Sequence, residues 1–402
     1  MSNDLMTEAA SCRACDAPLH SPILSLTPPA ISSIARLHPV PVSVSLCAAC
    51  GHLNSPGIPD ALDYFDTEYQ FSLESDDHDQ IYDVIDGRPR FRTAYQSELV
   101  ERSCALCDGA KVLDYGAGKA TTLRMLLDRR PDIEGHVFDV SRDYQTAWNT
   151  WLAPERQATY ELPENWGRRF DVVMSLFAFH CIPDPVRAFA DIARVLKPGG
   201  QFFMLVPDVL TNPADMIVAE HVNHFTPSSI RASLARAGMS AERIDRSAFR
   251  GAFLVVARLD ESTGTRASRT GRSTAADAAA RSIAKFWSGS GTLLADKVAA
   301  LADRRVAIYG AGVYGTFIAS RIRHLCEIVC FVDRNPHLTG TQHLGVPVVA
   351  PDNFPTSIDT VFAGLNPVLA HQAISDWQTT IRRPDLRVVY LDAAPDIAID
   401  DM

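Results

Sequence analysis

Short apolar runs alternate with amphipathic stretches through the middle of the chain, between about residues 111 and 258. Runs of strand length are separated by segments whose apolar residues recur at helical spacing. The last two strand patterns are close enough in sequence to pair antiparallel as a hairpin. This succession predicts an α/β sheet that ends in a hairpin. The predicted strands are 111–113, 136–138, 170–175, 201–207, 241–246 and 252–258, and the predicted helices are 121–127, 186–196 and 226–238.

A glycine turn follows the first of these strands. Asp114 ends the strand, and Gly116 and Gly118 let the backbone turn sharply and approach a ligand, because neither residue has a Cβ. Asp139 ends the second strand, 21 residues after Gly118, where a carboxylate can accept hydrogen bonds from both ribose hydroxyls. Alone, such a turn fits a packing role equally well. Together, strand, turn, helix, strand and acid form half of a nucleotide-binding unit.

The third glycine of a dinucleotide fingerprint is replaced here by Ala120. This difference favours a smaller, non-phosphate cofactor. With the Leu-Lys-Pro-Gly-Gly turn at 196–200 and the terminal hairpin, the middle segment resembles class I S-adenosylmethionine (SAM) methyltransferases. The resemblance implies SAM as the cofactor, and the expected cofactor-binding residues are Asp114, Gly116, Ala117, Gly118, Asp139 and Phe177.

Composition and charge narrow the class of protein. The 402 residues are 47% hydrophobic and 21% charged, an ordinary composition for a soluble protein of two or three domains. The net charge of −10 shows no basic excess, so we expect no nucleic-acid partner. No apolar run reaches the roughly 18 residues of a membrane span, and residues 1–4 do not open a signal peptide. We therefore predict a cytoplasmic protein without a membrane partner.

Six of the nine cysteines form three Cys-x-x-Cys pairs. Disulfides are rare in the cytoplasm, which favours metal ligands or free thiols. Cys12/Cys15 and Cys47/Cys50 have the spacing of two zinc knuckles, so four thiolates predict a closed, structural zinc site. The alternative is four unrelated free thiols. The third pair, within 104–107, has apolar neighbours and is predicted to be packed and inert.

The chain divides into a series of predicted domains. We place a zinc-binding module at 1–70, a SAM-dependent methyltransferase domain at 71–260, an exposed linker at 261–274 and a C-terminal Rossmann-like domain at 275–402. The first module is too short to be stabilised by its core alone, which gives the metal a structural role. The predicted fold class is α/β, with a small zinc-ribbon-like module ahead of two Rossmann-like sheets.

The last domain contains a full Gly-x-Gly-x-x-Gly turn, at Gly310, Gly312 and Gly315. Asp333 ends the next strand, 18 residues past Gly315, which is the spacing of a dinucleotide fingerprint. Three interpretations stay open: a nicotinamide-dependent redox step, binding of the nucleotide part of a substrate, or packing of helix against strand alone. The short remainder of the chain leaves no room for a separate catalytic domain, which disfavours the redox step.

The three modules, in this order, resemble the three-domain sugar C-methyltransferases. The likeness covers nearly the whole chain. It rests on the two cysteine knuckles, the segment Glu68-Tyr69-Gln70-Phe71-Ser72, the histidine-containing turn at 179–184, the pair Glu220-His221, and the C-terminal stretches 331–336 and 345–348.

This resemblance implies a reaction and the residues that perform it. In the family, the histidine of the Glu-His pair removes a proton beside the ketone of a nucleotide-linked deoxysugar, and the enolate carbon takes the methyl group of SAM. The resemblance assigns the general base to His221, with His180, Glu220 and Tyr69 as further active-site residues. An imidazole suits this role because its ordinary pKa, near 6.5, leaves a neutral base at pH 7.

Several positions depart from the family pattern. Val218 and Ala219 stand where tyrosine and histidine are frequent, and 249–252 replaces a His-Gly-Gly-Ser stretch. The cofactor half of the site is kept, while the acceptor half is altered. Two alternatives therefore stay open: O- or N-methylation of a non-sugar acceptor, and a non-catalytic zinc-ribbon scaffold. The sequence gives no indication of the oligomeric state.

Overall fold

The structure is a computed structural model that describes residues 10–69, 79, 81–260 and 272–391. Residues 70–72 of the tyrosine motif, 261–271 of the predicted linker and the stretch 392–402 lie outside the described residues. Within the described ranges, no helix is long and apolar enough to cross a membrane.

The N-terminal module is built from short strands. Val42, Val44 and Leu46 are buried while the serines between them are half-exposed, which is the two-residue period of a strand with one buried face. The elements of this part are β1 (Leu24–Leu26), β2 (Ala30–Ile31), β3 (Leu37–His38), β4 (Val42–Leu46), β5 (Leu53–Asn54) and α1 (Ala61–Thr67).

The central domain contains most of the predicted helices and strands. Its helix starts follow from local chemistry: the Asp184 side chain accepts a hydrogen bond from the Arg187 amide, and Thr226 forms a capping box with Ser229. The elements are β6 (Ile81–Ile85), β7 (Arg88–Phe91), α2 (Arg92–Ser103), β8 (Lys111–Tyr115), α3 (Thr121–Arg129), β9 (Glu134–Asp139), α4 (Gln145–Trp148), β10 (Gln157–Thr159), β11 (Phe170–Leu176), α5 (Pro185–Val195), β12 (Leu196–Pro207), β13 (Asn223–His224), α6 (Pro227–Arg236), β14 (Met239–Phe249) and β15 (Ala252–Leu259).

The central sheet confirms the predicted α/β architecture with a terminal hairpin. Its seven strands lie in the order β10-β9-β8-β11-β12-β15-β14. The first five are parallel, and β15 and β14 are antiparallel additions at one edge. The chain order reverses between β8 and β11, so the loops that follow these strands diverge and leave a crevice at their carboxyl ends.

The C-terminal part begins with a long helix and continues as a second sheet. The elements are α7 (Thr274–Ala299), β16 (Arg305–Tyr309), α8 (Val313–Ile322), β17 (Glu327–Val332), β18 (Gln342–His343), β19 (Val346–Val349), β20 (Thr360–Ala363), α9 (Pro367–Ile381) and β21 (Arg387–Tyr390). The strand order is β18-β19-β17-β16-β20-β21, and only β18 pairs antiparallel.

A shared sheet and a shared hydrophobic core both connect the N-terminal module to the rest of the molecule. Its sheet has the order β1-β4-β5-β13, so the last strand comes from the central domain, with Asn223 paired to Asn54 and His224 to Leu53. One hydrophobic core also spans the module, α7 and the C-terminal sheet, where Leu24, Trp287 and Phe317 are buried together. The predicted module at 1–70 is therefore integrated into the molecule on two sides.

The third cysteine pair differs from the prediction at one of its two residues. Cys104 is buried, and burial raises the pKa of its thiol to about 12. Cys107 is exposed, so the predicted packing is right for Cys104 and wrong for Cys107. The reason is that α2 ends at Ser103, which leaves Cys107 in the turn before β8.

Candidate active site and metal centre

The glycine turn after β8 is folded tightly against the neighbouring loops. The amides of Gly116 and Ala117 donate to the Phe138 carbonyl at 2.8 and 3.0 Å. Gly116 has φ +76°, and a Cβ there would lie 2.5 Å from the Cβ of Ala178, in the loop after β11. A residue with a side chain would therefore push apart the two loops that flank the crevice.

Asp139 is held at the end of β9 by backbone amides. Its Oδ2 accepts from the Gly118 amide at 2.8 Å, and its Oδ1 accepts from the Ser141 amide at 3.1 Å. The side chain of Trp148 fixes the same turn, because its Nε1 donates to the Gly118 carbonyl at 2.7 Å. Burial raises the pKa of Asp139, although its amide donors oppose the shift. The predicted ribose-binding acid and the glycine turn are thus in direct contact.

Asp114 lies beside this acid and is only 2% exposed. Burial, and secondarily the charge of Asp139, raises its pKa to about 8. In this state Asp114 is mostly neutral at pH 7. A cation bound nearby would favour its ionised form, which is suitable chemistry for the ammonium or sulfonium of SAM.

Phe177 follows β11 on the other side of the crevice. Its backbone is in the left-handed region, with φ 55°, and its amide donates to the Leu205 carbonyl at 2.8 Å. The guanidinium of Arg92, the first residue of α2, lies 4.1 Å from the centre of the Phe177 ring. Sequence reasoning missed Arg92, because a cation at a helix start carries no signal of what it faces.

His221 is held by a buried carboxylate that the sequence analysis did not identify. Its Nδ1 donates to Oδ1 of Asp215 at 2.6 Å, and Asp215 is 1% exposed. Burial lowers the pKa of His221, but the charge of Asp215 and this hydrogen bond outweigh it, so the net shift is upward. The hydrogen bond at Nδ1 leaves the lone pair of neutral His221 on Nε2. Asp215 precedes His221 by six residues and lies in the short 3-10 helix Pro213–Ile217, which is too short for a periodic pattern to mark it.

His180 and His221 are brought together as the sequence predicts for one site. Their rings meet edge-on, 4.1 Å apart at an angle of 81°. Burial, and next the charge of His221, lowers the pKa of His180 well below its ordinary value. The two imidazoles and the Cys181 thiol lie within 4.8 Å of one another, a spacing that a metal ion can also bridge.

Glu220 points towards the N-terminal module. Its side chain is 2% exposed, and Oε1 accepts from the Ser33 amide at 2.8 Å. Tyr69 lies in the same region: burial, with the nearby Cys181 and Glu220, raises the pKa of its hydroxyl. Glu220 and Tyr69 are therefore close to the histidine pair.

The four predicted zinc ligands converge at one point. The Sγ atoms of Cys12 and Cys50 are 3.7 Å apart, and those of Cys15 and Cys47 are 3.6 Å apart. Thiolates at about 2.3 Å from a tetrahedral zinc ion lie roughly 3.8 Å from one another. The donor set and its spacing therefore fit zinc.

The glycine turn of the C-terminal domain serves packing at two of its three glycines. A Cβ at Gly310 would overlap the Gly364 carbonyl, and one at Gly315 would overlap the Gly310 carbonyl. Gly312 has open space where a Cβ would be. Asp333 accepts from the Ala311 amide at 2.8 Å, as Asp139 does from the first turn. The turn and Asp333 therefore lie together in the C-terminal domain, as Asp139 and its glycine turn do in the central domain.

The sheet order, the glycine turn and the acid after β9 define a domain of the class I methyltransferase type. Comparisons with known proteins agree: residues 87–243 match the methyltransferase domain family. A ubiquinone biosynthesis O-methyltransferase from Idiomarina loihiensis is 30% identical over 127 residues, which are 30% of this chain and 52% of that protein. The chain thus spans about half the length of this curated relative.

Part of the chain is also similar to solved structures, at TM-scores below 0.5. A complex between the Haloferax volcanii Trm112 methyltransferase activator and a methyltransferase covers 42% of this chain and 91% of that chain, with 20% identity and a TM-score of 0.37. A SAM-dependent methyltransferase from Mesorhizobium loti covers 41% and 98%, with 16% identity and a TM-score of 0.34. The family match gives the chain a SAM-dependent methyltransferase domain at residues 87–243.

Proposed function

We propose that the whole protein is a SAM-dependent methyltransferase that methylates carbon in a nucleotide-linked keto-deoxysugar. The observation that carries this proposal is the buried hydrogen bond between Asp215 and His221, at the carboxyl edge of the cofactor-binding sheet. It makes His221 a base of fixed orientation with a free Nε2. Carbon methylation needs such a base, because the proton beside a ketone must be removed before carbon is nucleophilic.

The expected cofactor-binding residues suit SAM, which has no phosphate group. Asp139 would accept hydrogen bonds from the ribose hydroxyls, and the backbone of Gly116, Ala117 and Gly118 would line the adenosyl side. Asp114 would meet the cationic end, and Phe177 would provide an apolar wall. When bound, SAM supplies the methyl group, whose bond to sulfur breaks as the bond to the acceptor carbon forms.

The two histidines would have different roles in forming the enolate. His221 takes the proton from the carbon beside the ketone on Nε2, and Asp215 stabilises the imidazolium that results. Neutral His180 would donate a hydrogen bond to the oxygen that becomes negative in the enolate. Tyr69 would donate a hydrogen bond to another oxygen of the acceptor, and Glu220, which accepts from the Ser33 amide, would orient its neighbour His221.

The two outer domains would have supporting roles. Zinc held by Cys12, Cys15, Cys47 and Cys50 would fix the N-terminal module, as structural zinc does in ribbons. In the C-terminal domain, the open space at Gly312 and the acid Asp333 favour binding of the nucleotide part of the acceptor. Gly310 and Gly315 would shape that turn.

O-methylation is the second candidate, and two observations favour it. The relative at 30% identity is named as an O-methyltransferase. Val218 and Ala219 also remove polar groups that the sugar enzymes have. The two reactions differ in one intermediate, because only carbon methylation passes through an enolate. Exchange of solvent deuterium into the acceptor without SAM would therefore support carbon methylation, and its absence would favour oxygen.

The test uses labelled SAM with a panel of nucleotide-linked keto-deoxysugars, and mass spectrometry to detect a product heavier by one methylene. We expect His221→Ala and Asp215→Asn to lower turnover by about 10²–10⁴-fold. Calorimetry should show SAM binding unchanged in both variants, since neither residue belongs to the cofactor half. Full turnover in His221→Ala would exclude the base assignment, and a chain that binds no SAM would favour the scaffold alternative.

A further inference from the structure

A chain of buried hydrogen bonds connects the N-terminal module to His221. The Oγ of Ser55 lies 2.9 Å from Nε2 of His224, whose Nδ1 lies 2.6 Å from Oδ2 of Asp215. The other carboxylate oxygen, Oδ1, receives Nδ1 of His221 at 2.6 Å. His224 is fully buried, so water does not compete for these bonds.

We propose that Ser55 and His224 are positioning residues for the base, so that the N-terminal module sets the orientation and basicity of His221. This inference rests on the proposed function, in which His221 removes the proton. Neither residue is placed against the reacting atoms, and each acts through Asp215.

When both histidines are neutral, the donor and acceptor pattern leaves one arrangement of protons. The Asp215 carboxylate only accepts, so both histidines donate from Nδ1. Nε2 of His224 then accepts the hydroxyl proton of Ser55. Because both of its oxygens are bound, the carboxylate has one orientation, and His221 has one tautomer.

Sharing the carboxylate also moderates the basicity of His221. A carboxylate that accepts two hydrogen bonds stabilises each donor's charge less than one that accepts a single bond. Removal of His224 would concentrate the Asp215 charge on His221. We therefore expect a higher pKa for His221 when His224 is replaced by an apolar residue.

Hydrogen bonds at both its carbonyl and its amide hold the backbone of Ser55 in place. Nη1 of Arg13, the residue after Cys12, donates to the Ser55 carbonyl at 2.7 Å and to the Val222 carbonyl at 3.3 Å. The Ser55 amide also donates to Val222, at 3.0 Å. Behind this loop, the Oγ of Ser228 donates to the Cys50 carbonyl at 2.8 Å. Both knuckles therefore hold the segment that contains His221 and His224.

Other titratable groups also surround the pair, and their charges stay in place in the variants below. They are His180 and Cys181 from the loop after β11, Asp208 at the end of β12, Glu220 beside His221, and His52 from the N-terminal module.

The experiment is an NMR pH titration of the full-length, zinc-loaded chain labelled with ¹⁵N-histidine, which needs no acceptor. The His221 signals are assigned by their loss in His221→Asn. In His224→Phe we expect the pKa of His221 to rise by roughly one unit, since a hydrogen bond to a charged group contributes about that much. In Ser55→Ala we expect His221 to change from the single Nδ1–H tautomer to a mixture of the Nδ1–H and Nε2–H tautomers. Ser55→Thr, which keeps a hydroxyl, should restore the single tautomer.

Ser25→Ala is the matched control, because Ser25 is an exposed serine of the same module. It should leave the tautomer and pKa of His221 unchanged. The inference is wrong if His224→Phe and Ser55→Ala both give the His221 titration of the unmodified chain. If one variant does not fold, the other decides the question. Failure of the proposed function is distinct, since it appears as turnover in His221→Ala and leaves the titration as described.

Discussion

Asp139 accepts a hydrogen bond from the amide of Gly118, 2.8 Å away, so the acid at the end of β9 contacts the glycine turn that follows β8. The bond fixes the carboxylate and keeps one of its oxygens beside the glycine turn. A side chain that is already ordered loses little entropy when a ligand binds.

Replacement of Asp139 by alanine should weaken SAM binding. Hydrogen bonds to a charged acceptor contribute about 1.5–3 kcal/mol, which corresponds to an affinity roughly 10- to 150-fold lower. Calorimetry with SAM measures the change. Asp143→Ala is the control, because Asp143 is exposed in the same loop. Equal affinity in Asp139→Ala and Asp143→Ala would show that the acid does not hold the ribose.

SAM binding should release a proton from Asp114. Its pKa of about 8 in the free protein keeps the carboxyl mostly protonated at pH 6–7, and the positive charges of SAM lower that pKa in the complex. The affinity should therefore rise with pH until about pH 8 and then level. Calorimetry in buffers of different ionisation enthalpy counts the proton. Asp114→Asn should abolish the proton release, and persistence of the full release in that variant would assign it to another group.

Substitutions at two glycines of the C-terminal turn should distinguish a packing role from a ligand-binding role. Gly315→Ala should lower the free energy of unfolding by at least about 1–3 kcal/mol, because its Cβ would overlap the Gly310 carbonyl. Gly312→Ala should leave stability unchanged, since its Cβ enters open space. Thermal denaturation checks both. If the turn binds a nucleotide, a nucleoside diphosphate should bind Gly312→Ala more weakly than it binds the unmodified chain. Equal binding to both would mean that the turn serves packing alone.

The cysteine centre should hold one zinc ion per chain. Cys50→Ser should lose the metal and lower the melting temperature, because binding to the folded site contributes folding free energy. Cys107→Ser is the matched control, since Cys107 is exposed and lies outside the cluster. Elemental analysis gives the stoichiometry. Zinc retained in full by Cys50→Ser would mean that this thiol is not a ligand.

The sequence predicts the central sheet well, because each strand and helix there carries its own local pattern. Asp114, Asp139 and the glycine turn are predictable from spacing within one strand-helix-strand unit. The knuckle cysteines are predictable for the same reason, since each pair is defined by a short turn.

Other features depend on contacts between distant residues and have no local signal. Asn54 and Asn223 are 169 positions apart, and the two-residue strands that contain them are too short for periodicity. Asp215 lies in a five-residue 3-10 helix and Ser55 in an irregular segment, so their contacts around His221 and His224 appear only once the chain is folded. The resemblance predicts which histidine is the base, but it does not indicate what holds that base.

The strand β13 completes a sheet that begins at Leu24, 63 residues before the matched methyltransferase domain. Ser55, the residue after its partner strand β5, is within hydrogen-bond distance of His224. Because the two regions share a sheet, the central domain is not an independent unit that can be exchanged alone. A chimera that exchanged the first module with that of a relative would have to exchange 208–226 as well. Changes in acceptor preference between relatives should therefore arise in both segments together.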